Sequence, residues 1–236
     1  MTGPLLLQLS AVTKDYRGLR PLRIDHLEVA SGDQLAIIGL DRPAAEVFIN
    51  LVTGATLPDR GEISAFGRST SAIQDSADWL ATLDRFGIVS ERAVLLDALS
   101  VTQNLAVPFS LEIEPPPAGV QSRVRALADE VGLDAASWDR PVADLDLPAR
   151  LRVRFARALA LQPAVLLLEH PSAGLTSGDA ALTGRDIRTV SERRGIAAVT
   201  LTADPAFAGV IAARVLTLEP ATGRLVEQRR GWFRGI

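Results

Sequence analysis

Residues 35–54 read LAIIGLDRPAAEVFINLVTG. An apolar strand runs into Gly39, then a short loop, then a helix. Ala44, Val47, Phe48, Leu51 and Val52 recur at helical spacing, and Gly54 ends the run. Strand, glycine loop and helix are the layout of a phosphate-binding loop, in which backbone N–H groups at a helix N-terminus face an anion. The chemistry of such a loop is G-x-x-x-x-G-K-[ST]. Here Gly39 to Glu46 read G-L-D-R-P-A-A-E, without the second glycine, the lysine or the hydroxyl. The stretch therefore carries the frame of a phosphate site and few of its atoms.

On either side of it, strand and helix patterns alternate. Residues 5–12 and 22–30 alternate apolar with polar and read as strands joined near Gly18. A turn followed by a short strand is expected over DRGEISAFG (59–67), and another strand at FGIVS (86–90). Helices are expected over 100–112, 120–131, 148–162 and 177–193, with EPPPAG (114–119) breaking the chain between the first two. AVLLLEH (164–170) is too continuously apolar for a half-exposed strand and reads as buried on both faces. AAVTLT (197–202), ARVLTLE and GRLVEQR complete the strands. Such alternation predicts an α/β fold: a mainly parallel central sheet with right-handed crossovers, beside a smaller antiparallel β piece.

Composition narrows the function. The 236 residues suit one large domain with a sizeable subdomain, and a net charge of −3 gives no general attraction to nucleic acid. Lys14 is the only lysine; the other basic residues are arginines. With no cysteine there are no disulfides or thiolate metal sites, and no metal is expected. The opening MTGPLLLQLSAVTKDY lacks a basic start and a long apolar core, so no signal peptide is expected. No apolar run reaches about 18 residues, so no transmembrane segment is expected.

In order and spacing, five segments resemble the ATP-binding subunit of ABC transporters. They are VTKDYRGLRPL, LPDRGEISAFG, SVTQNLAVPF, RVRFARALALQPAVLLLEHPSAGLTSGD and TLTADPAFAGVIAARVLTLEPATGRL. The resemblance covers nearly the whole chain. It implies a P-loop NTPase-like ABC ATPase fold over residues 5–230, a helical subdomain at about 92–160 and a tail at 231–236. It also implies a membrane-embedded partner subunit, a second ABC subunit in a homodimer or heterodimer, and a cytoplasmic place on the inner face of the membrane. LAVPF resembles exporters and lipid-handling systems more than sugar importers.

The same resemblance places each family site residue on this sequence. The phosphate-loop lysine falls on Ala45 and its hydroxyl on Glu46; Pro43 removes an N–H donor and Ala44 stands in for a glycine. Arg42 is the only cation in the loop, and its plainer reading is a solvated side chain. Tyr16 falls where the family stacks adenine, and packing at a sheet edge explains it equally well. The glutamine after the strand at 86–90 falls on Glu91. The signature falls on Leu145, Asp146, Leu147, Pro148 and Ala149. The magnesium aspartate falls on Glu169, the general base on His170, the next loop's aspartate on Thr176 and the switch histidine on Ala203. Glu169 retains a carboxylate, and His170 is either a base or a hydrogen-bonded strand end. Apolar Val94, Leu95, Leu96 and Leu99 fall where the family docks its membrane partner, and some of them must serve as core.

Phosphoryl transfer rests on positioning and charge stabilisation, each group contributing orders of magnitude. Losing all of them together predicts a pseudo-ATPase that needs no ATP or magnesium and has a structural or regulatory role in a transporter-like complex. A divergent active ATPase using Arg42, Glu169 and His170 is the first alternative, and a scaffold without a membrane partner is the second. The loop is expected to be shifted and self-capped by Asp41 or Glu46, or capped by Asp41 alone with Pro43 in the first turn. Gly39 and His170 are expected at the ends of neighbouring strands.

Overall fold

A computed structural model describes residues 3–228. The expected tail at 231–236 and the boundary at 230 lie outside the described residues. In chain order the elements are β1 (Leu5–Lys14), β2 (Leu22–Ala30), β3 (Gln34–Ile38), α1 (Arg42–Val52), β4 (Arg60–Ala65), β5 (Arg68–Ser69), α2 (Ser76–Leu83) and β6 (Phe86–Val89). There follow α3 (Val101–Ala106), α4 (Ala118–Glu130), α5 (Leu147–Leu159), β7 (Val165–Glu169), α6 (Ser177–Arg194), β8 (Ala197–Thr202), α7 (Pro205–Ile211), β9 (Arg214–Glu219) and β10 (Arg224–Glu227).

They build two sheets. The antiparallel one has the order β2-β1-β4-β5. The other has the order β10-β9-β3-β8-β7-β6 and is parallel except for β10, which pairs antiparallel with β9. Its central strands are apolar on both faces because both faces are covered. Val165 and Leu167 of β7 join the core beneath the antiparallel sheet and α1, whereas Leu166 and Leu168 join the core formed with α3 to α7. Period-two alternation thus divides one continuous apolar run between two cores.

Local chemistry explains where the chain departs from its expected pattern. The helix expected over 100–112 stops at Ala106, because Pro108 has no N–H to continue the ladder. A capping box of Ser100 and Gln103 fixes its start. Two helices have no counterpart in the sequence reading. α2 buries none of its residues, so it carries no apolar stripe. α7 is short, but Asp204 caps it and Pro205 opens it, a start signal that the pattern reading overlooked. Gly39 and His170 do not end neighbouring strands: β8 lies between β3 and β7. Both still end strands of the parallel sheet at the same side. Gly39 turns the chain out of β3 at φ +104°, where a Cβ would come within 3.0 Å of the Leu218 carbonyl.

Candidate functional site

The loop from Gly39 to Glu46 closes on itself. Asp41 is the N-cap of α1, and its Oδ1 accepts the Ala44 N–H at 2.9 Å. The Ala45 N–H donates to the Asp41 carbonyl at 2.8 Å, and Pro43 in the first turn has none to offer. Ala44 and Ala45 are buried, Ala45 completely. This is the arrangement in which Asp41 alone caps the helix. Glu46 does not take part, which corrects the expectation that it might: it lies more than a turn into α1, beyond reach of the free N–H groups. Its Oε1 instead meets Arg92 Nη1 at 2.8 Å. Asp41→Ala is therefore expected to cost about 1 kcal/mol, roughly 2–4 °C of Tm, and Glu46→Ala less. Calorimetric melts showing the reverse ranking would return the capping role to Glu46.

Arg92 joins three parts of the chain. Besides Glu46 of α1 it meets Glu169 at the end of β7, with Nη2 at 2.9 Å and Nε at 3.2 Å from Oε2. The same Oε2 accepts the Ser90 hydroxyl at 2.7 Å, and Ser90 Oγ accepts the Arg92 N–H at 3.1 Å. Glu169 is 10% exposed and Arg92 42%. A second pair, Arg42 Nη1 to Glu91 Oε2 at 2.9 Å, runs parallel to the first and is largely exposed. Arg42, Glu46, Glu91 and Glu169 are thus brought together by charge pairing, with Arg92 and Ser90 completing the cluster. Sequence reasoning missed Arg92. A lone arginine has no spacing relation to carboxylates on two distant segments, so only the fold exposes the role.

His170 adjoins this cluster in a left-handed conformation, φ +43°. Its N–H donates to the Leu201 carbonyl at 2.8 Å, while Nε2 is buried without a partner. His170, Glu169, Glu91 and Leu147 line one cavity of about 40 Å³, enough for a few waters. Leu147 belongs to the signature-like segment, which forms a second cap. Asp146 Oδ1 accepts the Ala149 N–H at 2.9 Å, with Pro148 in the first turn of α5 and Leu145 buried ahead of it. Asp41-Arg42-Pro43-Ala44 and Asp146-Leu147-Pro148-Ala149 are therefore the same device, Asp-x-Pro-Ala, closing two helix starts.

The remaining residues are dispersed. Tyr16 packs against the core under the antiparallel sheet; burial, and after it the charge of Asp41, raises its phenol pKa. Thr176 caps α6, and Ala203 is exposed in the turn before α7. Of the apolar docking candidates, Val94 and Leu96 are exposed, Leu99 is half-buried and Leu95 is in the core. No group of three His, Cys, Asp or Glu among the described residues is placed to hold a metal ion.

No family model matches the chain. Among curated proteins it is similar to the lipoprotein-releasing system ATP-binding protein LolD of Alcanivorax borkumensis, 29% identical over 207 residues, 86% of this chain and 90% of that one. The Fe(3+) ions import ATP-binding protein FbpC of Serratia marcescens is 29% identical over 225 residues, covering 94% of this chain and 62% of the other. Its homologues are ABC transporter ATP-binding subunits. The chain spans about three-fifths of the length of the first curated relatives it matches. Among solved structures, cbiO1 from Clostridium perfringens, part of the ABC transporter complex cbiONQ, superposes with a TM-score of 0.79 at 21% identity over 94% of this chain and 87% of that one. The ATP-binding cassette MJ0796, a dimer bound to ADP and Pi, gives 0.76 at 21% identity, over 95% of this chain and 99% of that one. At that identity they show the fold, and it is the ABC ATPase fold.

Proposed function

We propose that the chain is a catalytically degenerate ABC ATPase subunit with a structural or regulatory role in a membrane transporter-like complex. The observation that carries this reading is the pairing of Glu46 and Glu169 through Arg92. At the positions where the resemblance places the magnesium-binding groups, the two carboxylates share one guanidinium of the protein itself. The loop adds to the argument. The Ala44 N–H in the first turn of α1 is taken by Asp41, Pro43 supplies none, and the lysine position is a fully buried alanine. Nucleoside triphosphate and magnesium do not fit these groups. A triphosphate would meet Asp41 and Glu46 where it needs donors and cations.

In this reading residues 92–160 form a helical subdomain that docks a membrane-embedded subunit, and the ion pairs fix that subdomain to the core without nucleotide. Arg92 and Glu91 lie where the chain leaves β6 for the helices, so their pairs to α1 and β7 cross that junction. No helix among the described residues is long and apolar enough to cross a membrane. Relatives named for import and for lipoprotein release match alike, so the proposal extends to a complex and not to a cargo.

The test is calorimetric titration of the purified chain with magnesium-ATP. Binding no tighter than about millimolar, roughly −4 kcal/mol, is expected. A micromolar isotherm would instead establish a divergent nucleotide-binding subunit.

A further inference from the structure

We propose that the polar cavity between the start of α5 and α6 binds a linear aliphatic polyamine, its ammonium groups held by carboxylates that the protein leaves unpaired. This goes beyond the pseudo-ATPase reading and does not depend on it. The cavity encloses about 540 Å³ and is framed by the turn after α4, the segment leading into α5 and the first turns of α6. Asp134, Asp144, Asp146 and Asp179 line it, and none of the four forms an ion pair among the described residues. Each keeps free acceptor capacity. Asp134, Asp146 and Asp179 use one oxygen apiece, accepting the Ala136 N–H at 3.0 Å, the Ala149 N–H at 2.9 Å and the Thr176 hydroxyl at 2.8 Å. The Asp144 side chain accepts no hydrogen bond among the described residues; only its carbonyl does. Arg140 and Arg152 also line the cavity but are committed elsewhere. Arg140 Nη2 donates to that Asp144 carbonyl at 2.8 Å, and Arg152 Nη2 pairs with Asp186 at 2.9 Å.

Thr183 distinguishes this cavity from a solvated acidic surface. It is 1% exposed, it lines the same cavity, and its hydroxyl has no hydrogen-bond partner. A helical threonine can return that hydroxyl to a carbonyl one turn back. Thr183 does not, so a donor from a ligand is what would satisfy it. Asp179 and Thr183 are four residues apart on α6 and share a face of the helix, where one ammonium can donate to both. The rest of the lining selects the class of ligand. No three acidic or histidine side chains among the described residues converge to hold a metal ion, which needs several oxygens around one point. Four separated carboxylates instead suit charges spread along a chain. Leu133, Leu145 and Leu182 offer apolar contact to the methylenes between those charges.

The experiment titrates the full chain with spermidine by calorimetry at physiological ionic strength, with magnesium and n-butylamine as comparisons. Spermidine is expected to saturate one site per chain, and magnesium and the monoamine to bind about tenfold more weakly or less. Asp144→Asn breaks no side-chain hydrogen bond within the chain, and Thr183→Val removes only the unpartnered hydroxyl. Each should lower the spermidine affinity about tenfold, while Asp25→Asn on β2, exposed on the other sheet, leaves it unchanged. Thr183→Val should melt no lower than the parent, because the hydroxyl holds nothing in the free protein. No saturable binding, equal binding of magnesium or of the monoamine, or spermidine binding indifferent to Asp144→Asn or to Thr183→Val would each overturn the inference. Titration with magnesium-ATP decides the pseudo-ATPase reading separately, so a chain that binds ATP and also binds spermidine through Asp144 would lose that reading and keep this one.

Discussion

Arg92→Ala is expected to lower the melting temperature by roughly 4–12 °C, the largest effect of any exchange in the charged cluster. The guanidinium is the only cation on Glu169 among the described residues, and the Glu169 side chain is 10% exposed. Removing it leaves a nearly buried carboxylate with Ser90 as its remaining donor. Stranding a charge in this way costs about 2–3 kcal/mol, below the figure for a fully buried pair because Arg92 itself is 42% exposed. For a chain of this size each kcal/mol corresponds to about 2–4 °C. Glu169→Gln in the same background should restore more than half of the loss, since the stranded charge has gone. Arg42→Ala, which breaks the exposed pair, should cost no more than about 1 kcal/mol. If Arg92→Ala melts like the parent, the pairs do not hold the helices to the core.

Ala45→Lys separates the two readings of the loop from the opposite direction. Were the cradle only missing its lysine, the exchange would restore a cation and raise ATP affinity. Ala45 is fully buried beneath the first turn of α1, among residues of the core that includes Leu40 and Phe48. A longer side chain overpacks that space, and an ammonium must either be desolvated there or displace the turn to reach water. The expected result is a loss of about 2–3 kcal/mol, roughly 4–12 °C of melting temperature, with no gain in nucleotide binding. A variant of parental stability that binds magnesium-ATP at micromolar concentration would show the cradle to be intact but for one group.

What the sequence made legible follows from the range of each signal. The run Val165–Leu168 declared a strand buried on both faces, and the structure divides it between two cores. The amphipathic spacing of α1 and the cap at Asp41 are local, so four to ten residues suffice to read them; the cap at Asp146 is as local, but the resemblance to a signature segment hid it. Pro108 was equally local, yet the apolar pattern past Ala106 outweighed it in the reading. Arg92 belongs to another kind. Its partners Glu46 and Glu169 reach it from α1 and β7, and only the strand order β3-β8-β7-β6 determines that those ends converge. The order itself was misread by one strand, since parallel crossovers do not declare which strands become neighbours.

The Asp-x-Pro-Ala caps have a consequence for how the protein responds to its surroundings. A fold completed by a ligand draws stability from that ligand by mass action, about 2.7 kcal/mol at a hundredfold excess over Kd. Such a protein softens when the ligand pool is depleted. Here carboxylates covalently part of the chain, Asp41 and Asp146, each satisfy one N–H in the first turn of a helix, that of Ala44 and that of Ala149. Their effective concentration never changes. A subunit so built would keep one shape while the energy charge of the cell rises and falls, and its melting temperature should be the same in starved and in nucleotide-rich extracts.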